Sequence, residues 1–531
     1  MPDADCYFGP EEVYRHFMNI TKLKHPSRDK DHPEDGNEDE VRDYVAGCTN
    51  NIDNIERPIF YDPGATDAGK RVIVVRRKGS GDFSQAPYVT LQAHMDMVCF
   101  PKNDIFPLNV FDYDIEGEKW IKAGDRESIN HPTKGTTLGA DDGIGVAAAL
   151  ALLKDESLKE YPLECFFTVQ EENDMGGAEH FDKSLLLGRK YINLDAENVT
   201  TIFYGCAGGS DFSLSGNVER SEMETDFTVL KVSISGLRGG HSGVDINKGR
   251  LNAIKGMAEI LINLDERTAR RDDGGASSFD LHLISMQRDE QAKMNSIPSS
   301  ASAVVAIPRN MKEGFENALA SQCEALKALH QPEENRFSWQ VCWQGEVQAK
   351  PLSRASTDAL LCLLSRIPHG VFRMIPENVK LVETSSNLAS IEIGNDIAVI
   401  RGSNRSSNDS HMTALKNILD NIGFCFGYAV KYTDGYPAWQ PNEKSLLLAI
   451  AKDVYGRKYP QYDATVIHAG LECSQVVAKY GSDIDCISIG PTIVDPHSGG
   501  ERLKAVTVEQ FYDAVTQILH RIFSNMQMST G

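Results

Sequence analysis

At 531 residues, with 41% hydrophobic and 24% charged side chains, the chain has the composition of a soluble globular protein too long for one ordinary core, so two or more domains are expected. Its formal net charge of -22 argues against nucleic acid or an anionic membrane as the main partner, because both demand a basic surface. No apolar run of about eighteen residues occurs, the start at Met1 to Asp5 lacks the regions of a signal peptide, and the eleven scattered cysteines form no Cys-x-x-Cys pair, so a cytosolic location and reduced thiols are expected.

In chain order, Glu11 to Lys24 and Asn37 to Thr49 carry apolar residues at helical spacing, with the polar stretch His25 to Gly36 between them as a loop. Arg71 to Arg76 is predicted as a strand. Tyr88 to Val98 is a second, ending in His94-x-Asp96, and period-two alternation puts both side chains on one face. A ligating imidazole usually gives its second N–H to an oxygen acceptor, and Asp96 stands where it can supply one. Pro101 to Thr136 is expected to be a long irregular segment, which is uncommon unless functional. A helix should then run from Gly143 to Lys154, just after the Asp141-Asp142 pair.

Leu163 to Gln170 is the next strand and closes on Glu171-Glu172, while Tyr191 to Asp195 repeats the pattern of an apolar strand ending in an acid. Alternating strands and helices are the grammar of an α/β sheet, whose functional groups sit beyond the carboxyl ends of the strands. His94, Glu171, Glu172 and Asp195 all fall there. From about Ser213 to Gly435 the texture changes. Strands at 229–235, 279–285, 301–307, 337–343, 397–401 and 424–432 alternate with helices at 250–264, 312–329, 357–365 and 407–422. After a linker at Gly435 to Pro441 the style of the first part resumes, with a helix at 444–455, strands at 464–468 and 484–489, and a final helix from Val508 to about Met526. One α/β domain interrupted by an insertion is the natural reading. It has a mixed, mainly parallel sheet covered by helices over 1–213 and 436–531, and an inserted α+β lid over 214–435.

The closing strand delivers His497, so the inventory converging on one sheet edge is His94, Asp141, Glu172, Asp195 and His497, with Glu171 alongside. Nitrogen and carboxylate donors without sulfur suit Zn²⁺, Mn²⁺ or Co²⁺. Two histidines and three carboxylates make a two-metal site if one carboxylate bridges.

This series, with Leu138 to Gly145, Gly205 to Gly209, Gly239 to Gly243, His468 to Cys473 and Ser488 to Thr492, resembles the M20 family of co-catalytic dinuclear metallopeptidases, and within it the aminoacyl-histidine (Xaa-His) dipeptidase branch. The resemblance implies that His94 and Asp195 hold one metal ion, Glu172 and His497 the other, and that Asp141 bridges them. Two divalent ions per subunit, Zn²⁺ first and Mn²⁺ or Co²⁺ as alternatives, are thus expected. Asp96 would orient His94, and Glu171 would act as general base toward a metal-bridged hydroxide. The resemblance also implies a cis peptide at Asp141-Asp142, and a homodimer in which His241 of the lid reaches the partner's site. Asn295, Arg401, His468 and Gly470 would contact a dipeptide substrate. Met294 to Ser299 lacks the arginines of the family's Arg-Asn-x-Ile-Pro-Arg pattern, and Ser498-Gly499 replaces the usual Ser-Pro, departures that touch substrate preference and leave the ligands intact.

Plainer readings stand beside these. Glu171-Glu172 alone would be a solvated strand end, Gly239 to Gly243 a flexible turn, and His468 a packed or substrate-contacting histidine; Arg238, Arg250 and Arg405 are expected to be surface or structural. An amidohydrolase acting on N-acyl amino acids is the alternative within the same chemistry, and a non-catalytic homologue the alternative outside it. Intact Glu171 and all five ligands argue against the last.

Overall fold

The computed structural model describes residues 8–27, 38–50, 52–61, 71–101, 105–131, 134–222, 226–265, 279–288, 294–345, 350–376 and 378–530. The 28–36 part of the expected loop lies outside them. The chain divides into two compact units, the first made of Met1–Cys206, Trp439–Val466 and Leu471–Gly531, the second of Ala207–Ala438 and Ile467–Gly470.

In the first unit an eight-stranded sheet runs in the order Ile59–Tyr61, Val72–Arg77, Leu163–Thr168, Val89–His94, Lys190–Asn193, Asp485–Ser488, Thr201–Cys206 and Asp463–Ile467. The pairings of Val89–His94 with both neighbours, and of Lys190–Asn193 with Asp485–Ser488, are parallel. Those of Ile59–Tyr61 with Val72–Arg77, of Val72–Arg77 with Leu163–Thr168, and of Asp485–Ser488 with Thr201–Cys206 are antiparallel. At the far edge Asp463 N–H donates to the Thr200 carbonyl and Ala207 N–H to the Ile467 carbonyl, so Thr201–Cys206 and Asp463–Ile467 also run parallel, and the sheet is mixed and mainly parallel. Val72–Arg77, Val89–His94 and Leu163–Thr168 are buried at every residue, and the polar side chains among them pair inside the sheet: Arg76 and Thr90 with Glu164, Gln92 with Thr168.

The helix Ala140–Lys154 is buried along Ala140 to Leu153 and apolar on every side, as a helix enclosed by its own unit must be. At Gly143 it packs beside Phe17 and Ile20 of the helix Glu11–Ile20. At its start Asp141 and Asp142 leave helical geometry, and the peptide bond between them is cis.

The segment from Pro101 to Thr136 is not the irregular loop expected. Val110–Ile115 and Glu118–Gly124 form an antiparallel hairpin that continues through Arg502–Lys504 to Ile493–Val494. Its turn, Glu116-Gly117, has φ of 52° and 84°, the positive values a tight two-residue hairpin requires. Glu in place of the usual Asn or Asp hid that signal.

Among the described residues the second unit holds two larger antiparallel sheets and the two-stranded ribbon of Gly240–His241 with Ser296–Ile297. Of the larger two, one has the order Gly370–Ile375, Asn378–Ile393, Ile397–Ser406, Gly208–Asn217, Ala429–Tyr432, and the other His282–Arg288, Ala301–Pro308, Phe227–Ser235, Ser338–Gly345. A single apolar cluster, including Leu230, Met257, Phe279, Phe315, Leu361, Leu388 and Leu419, joins these sheets to the helices Ala253–Leu264, Lys312–Leu329, Arg354–Arg366 and Asp409–Phe426. The strand expected at 424–432 is shorter: the helix continues to Phe426, Gly427 closes it with φ 72°, and the strand begins at Ala429.

Candidate active site

Four strand ends and one helix start bring the acids and imidazoles of the first unit together. His94 ends its strand with no exposed surface, and its Nε2 lies 3.0 Å from Asp141 Oδ1 and 3.5 Å from Asp195 Oδ1. His497 Nε2 lies 2.9 Å from the other oxygen of Asp141, Oδ2, and 2.8 Å from Glu172 Oε2. Asp141 thus turns one carboxylate oxygen to each histidine.

His94 is oriented mainly by backbone. Its Nδ1 lies 2.9 Å from the carbonyl oxygen of Asp96, with the Asp96 carboxylate at 3.6 Å. That carboxylate instead accepts from the N–H groups of Glu171 and Glu172, at 3.1 and 3.3 Å, and from the Ser27 hydroxyl at 2.6 Å. Asp96 therefore sets the turn that presents both glutamates. Asp142, not among the expected site residues, accepts from the His94 N–H at 3.3 Å and from Gly145 N–H at 3.2 Å, tying the histidine strand to the helix start.

Electrostatically the cluster has more acid than base. Burial alone would depress both imidazoles, but the Asp195 and Asp141 carboxylates facing its Nε2 raise His94 well above the ordinary histidine value, and Glu172 with Asp141 does the same for His497. Burial works against ionisation of Asp141 as well, yet the two imidazoles hold its carboxyl well below the usual range. Asp195 is pushed up to about 7 by burial, and Glu171 well above the ordinary glutamate value by the same cause.

Crowded buried carboxylates of this kind are what divalent cations relieve. The donor atoms of His94, Asp141 and Glu172, and of His94, Asp142 and Asp195, lie within 4.8 Å of one another, and Glu172 Oε1 is buried without a hydrogen-bond partner. Oxygen and imidazole donors with an orphaned carboxylate oxygen fit a cation site.

In the second unit His241 pairs with Ser296 across a two-stranded ribbon, and Ser242 N–H donates to the Asn295 carbonyl at 2.7 Å, so His241 and Asn295 are neighbours. His241 Nδ1 accepts from the N–H groups of Gly243 and Val244 at 3.1 and 3.2 Å, which places its ring proton on Nε2. A Cβ on Gly243 would stand 2.2 Å from the carbonyl oxygen of His468, so that segment packs directly on the ribbon, with Gly470 two residues on. His468 Nε2 hydrogen-bonds Ser385 Oγ at 2.7 Å; burial, then Arg405 and His241, lower its pKa to about 3, so the ring is neutral.

Arg401 is partly exposed and its guanidinium lies 2.9 Å from the Glu392 carboxylate. Arg405 is enclosed instead, within the structural role expected of it. It stands opposite Ser385 in the sheet and is 8% exposed; its Nη1 donates to the Tyr436 hydroxyl at 2.5 Å, and its Nε is buried without a partner. The two arginines alternate onto the same strand face, and sequence period alone does not separate the covered one from the open one.

Comparison with known proteins agrees with this architecture. A family model, M20_dimer, described as a peptidase dimerisation domain, matches residues 232–334. The chain is 30% identical over 519 residues to the cytosol non-specific dipeptidase of Escherichia coli, covering 97% of this chain and 98% of that one. The crystal structure of aminoacylhistidine dipeptidase from Vibrio alginolyticus superposes with a TM-score of 0.72 at 29% identity, covering 97% of each chain. A tripeptidase from Staphylococcus aureus shares the fold at a TM-score of 0.55 and 14% identity, covering 96% of this chain and 98% of that one. With a relative of that identity along nearly its entire length, the chain belongs to the M20 family of metallopeptidases.

Proposed function

We propose that the chain is a two-metal dipeptidase of broad or Xaa-His specificity. The observation that carries this is Asp141, whose two carboxylate oxygens face two different histidines at 3.0 and 2.9 Å, as a bridging ligand must. His94 and Asp195 would hold one cation and Glu172 and His497 the other, with Zn²⁺ as the first choice and Mn²⁺ or Co²⁺ as alternatives. Bound there, the pair would supply an acidified water and a polarised scissile carbonyl.

Glu171 takes the attacking water's proton and returns it to the leaving amine, a role its burial-raised pKa suits. Asp96 keeps Glu171 and Glu172 at their stations through the two N–H bonds. Within the lid, proposed as residues 214–435, His241 offers an Nε2–H to the developing oxyanion across a homodimer. Asn295, His468 and Gly470 line the polar face that receives the dipeptide. Its free carboxylate goes to Arg405, the buried guanidinium with donor capacity to spare, rather than to Arg401. The name of the Escherichia coli relative supports a cytosolic location, and among the described residues no helix is long and apolar enough to cross a membrane.

The test is hydrolysis of a panel of dipeptides and N-acyl amino acids before and after chelation. Dipeptide cleavage lost on chelation and restored by Zn²⁺, Mn²⁺ or Co²⁺ is the expected result; cleavage of the N-acyl compounds alone would replace this reading with the amidohydrolase one. Glu171→Gln should lower kcat by about 10²- to 10⁴-fold with metal content unchanged, and undiminished turnover would remove Glu171 from its role.

A further inference from the structure

The carboxylate that accepts the most backbone N–H groups in the first unit's site is not one of the proposed ligands. Glu501, 1% exposed, accepts from four successive N–H groups: Leu138 at 2.7 Å, Gly139 at 3.2 Å, Ala140 at 2.8 Å and Asp141 at 3.5 Å. These precede the helical run proper, since Asp141 and Asp142 depart from helical geometry, and four successive backbone donors converging on one carboxylate form an anion-binding nest. Glu501 lies only four residues after His497, so one side chain joins the stretch that presents Asp141 to the loop that presents His497.

That loop needs holding. Asp495 and His497 both have positive φ, 54° and 59°, a conformation non-glycine residues keep only when their surroundings enforce it. Three further contacts do so. The Arg502 guanidinium lies 2.6 Å from the Asp495 carboxylate, and Ser498 Oγ donates to the Asp495 carbonyl at 2.8 Å. Lys122, on the Glu118–Gly124 strand and 2% exposed, donates to the Gly499 carbonyl at 2.5 Å. The loop is thus gripped by Glu501 from the helix side and by Lys122 from the hairpin side.

We propose that Glu501 is a positioning residue that fixes the distance between Asp141 and His497, with Lys122 bracing the same loop, so that the second of two cations is held tightly only when both contacts are intact. The inference rests on the two-cation reading above and concerns residues that touch neither substrate nor the proposed ions. Losing a partner that orients a ligand commonly costs about 10- to 100-fold in metal affinity. Because Asp141 and His497 together frame the second ion, that ion should bear the loss.

Metal-free wild type, Glu501→Gln and Lys122→Met are titrated with Co²⁺, read by visible absorption and calorimetry, alongside thermal unfolding of the metal-free proteins. The expected result is two equivalents for wild type. For Glu501→Gln, the first equivalent should stay within about three-fold of wild type and the second weaken about 10- to 100-fold, with kcat recovering at excess metal and KM unchanged. Lys122→Met should shift the second equivalent the same way by less. A Glu501→Gln protein that binds both equivalents as wild type does would overturn the proposal, as would loss of both equivalents together with the thermal transition. A wild type that takes up fewer than two ions would instead sink the two-cation reading on which it stands.

Discussion

The ligands proposed here were legible together rather than one by one: each ends a strand or opens a helix, a place where a single charged side chain is ordinary but five convergent ones are not. His94, Glu172, Asp195 and His497 announce themselves as a group. Residues that support them do not. Glu501 and Lys122 resemble ordinary surface charges in sequence, and only the backbone groups they meet give them meaning. Arg405 is the instructive case, since nothing in its spacing sets it apart from Arg401. Arg405→Ala should raise KM for dipeptides about 10- to 100-fold, the scale of lost hydrogen bonds to a charged group, with Arg401→Ala near wild type. The reverse order of effects in steady-state kinetics would return the carboxylate to Arg401.

Glu472 carries a pH prediction. It is fully buried, accepts from Thr168 Oγ1 at 2.6 Å and from Gln92, and is pushed by burial from the ordinary value of 4.5 up to about 8. Between those values the native state keeps a proton that the unfolded chain has released, so its contribution to stability is present below about pH 4.5 and is lost as pH rises toward about 8. Glu472→Gln, neutral throughout, escapes that loss. The Tm of the metal-free variant should therefore gain on wild type steadily from about pH 5 to pH 8 and hold its lead above; parallel pH profiles would show that Glu472 is already ionised in the native protein.

Among elements, long apolar or helical segments were readable and polar strands were not. Lys312–Leu329 begins and ends where its periodicity predicts. Gly208–Asn217 and Asn378–Ile393 went unread because glycine, serine and asparagine carry little strand preference, and only pairing with Ile397–Ser406 makes them strands. The hairpin Val110–Gly124 was missed for the related reason given above, and with it the scaffold under the His497 loop. Gly135, beside that hairpin, is the sharpest probe of the contact. A Cβ there would stand 2.0 Å from the Gly499 carbonyl oxygen, too close to accept without moving backbone. Gly135→Ala should destabilise the protein by about 1–3 kcal/mol in urea unfolding and weaken metal binding as well. Unchanged stability would mean that the loop yields freely.

At the scale of the whole molecule, the proposed homodimer has its own measurement. The matched peptidase dimerisation domain lies within the second unit, and several large apolar side chains of that unit are exposed, Phe424 at 88% and Val379 at 74% among them. Light scattering on the eluted protein should give twice the mass of 58.6 kDa, and Phe424→Asp with Val379→Asp should shift the mass toward one chain. A monomer at every concentration would leave His241 without a neighbouring site to serve.

The short visit of residues 467–470 to the second unit, between Val466 and Leu471 of the first, has a consequence for anyone who cuts or grafts this protein. The polypeptide passes from one body to the other at 206/207, 438/439, 466/467 and 470/471, like thread returning through cloth. A protease nick at the 435–441 stretch should therefore leave the pieces stitched. An exchange of lids that transplants only the long insert would strand His468 and Gly470 on the host's side, giving a chimera that folds yet lacks the histidine its new sheet expects against Ser385.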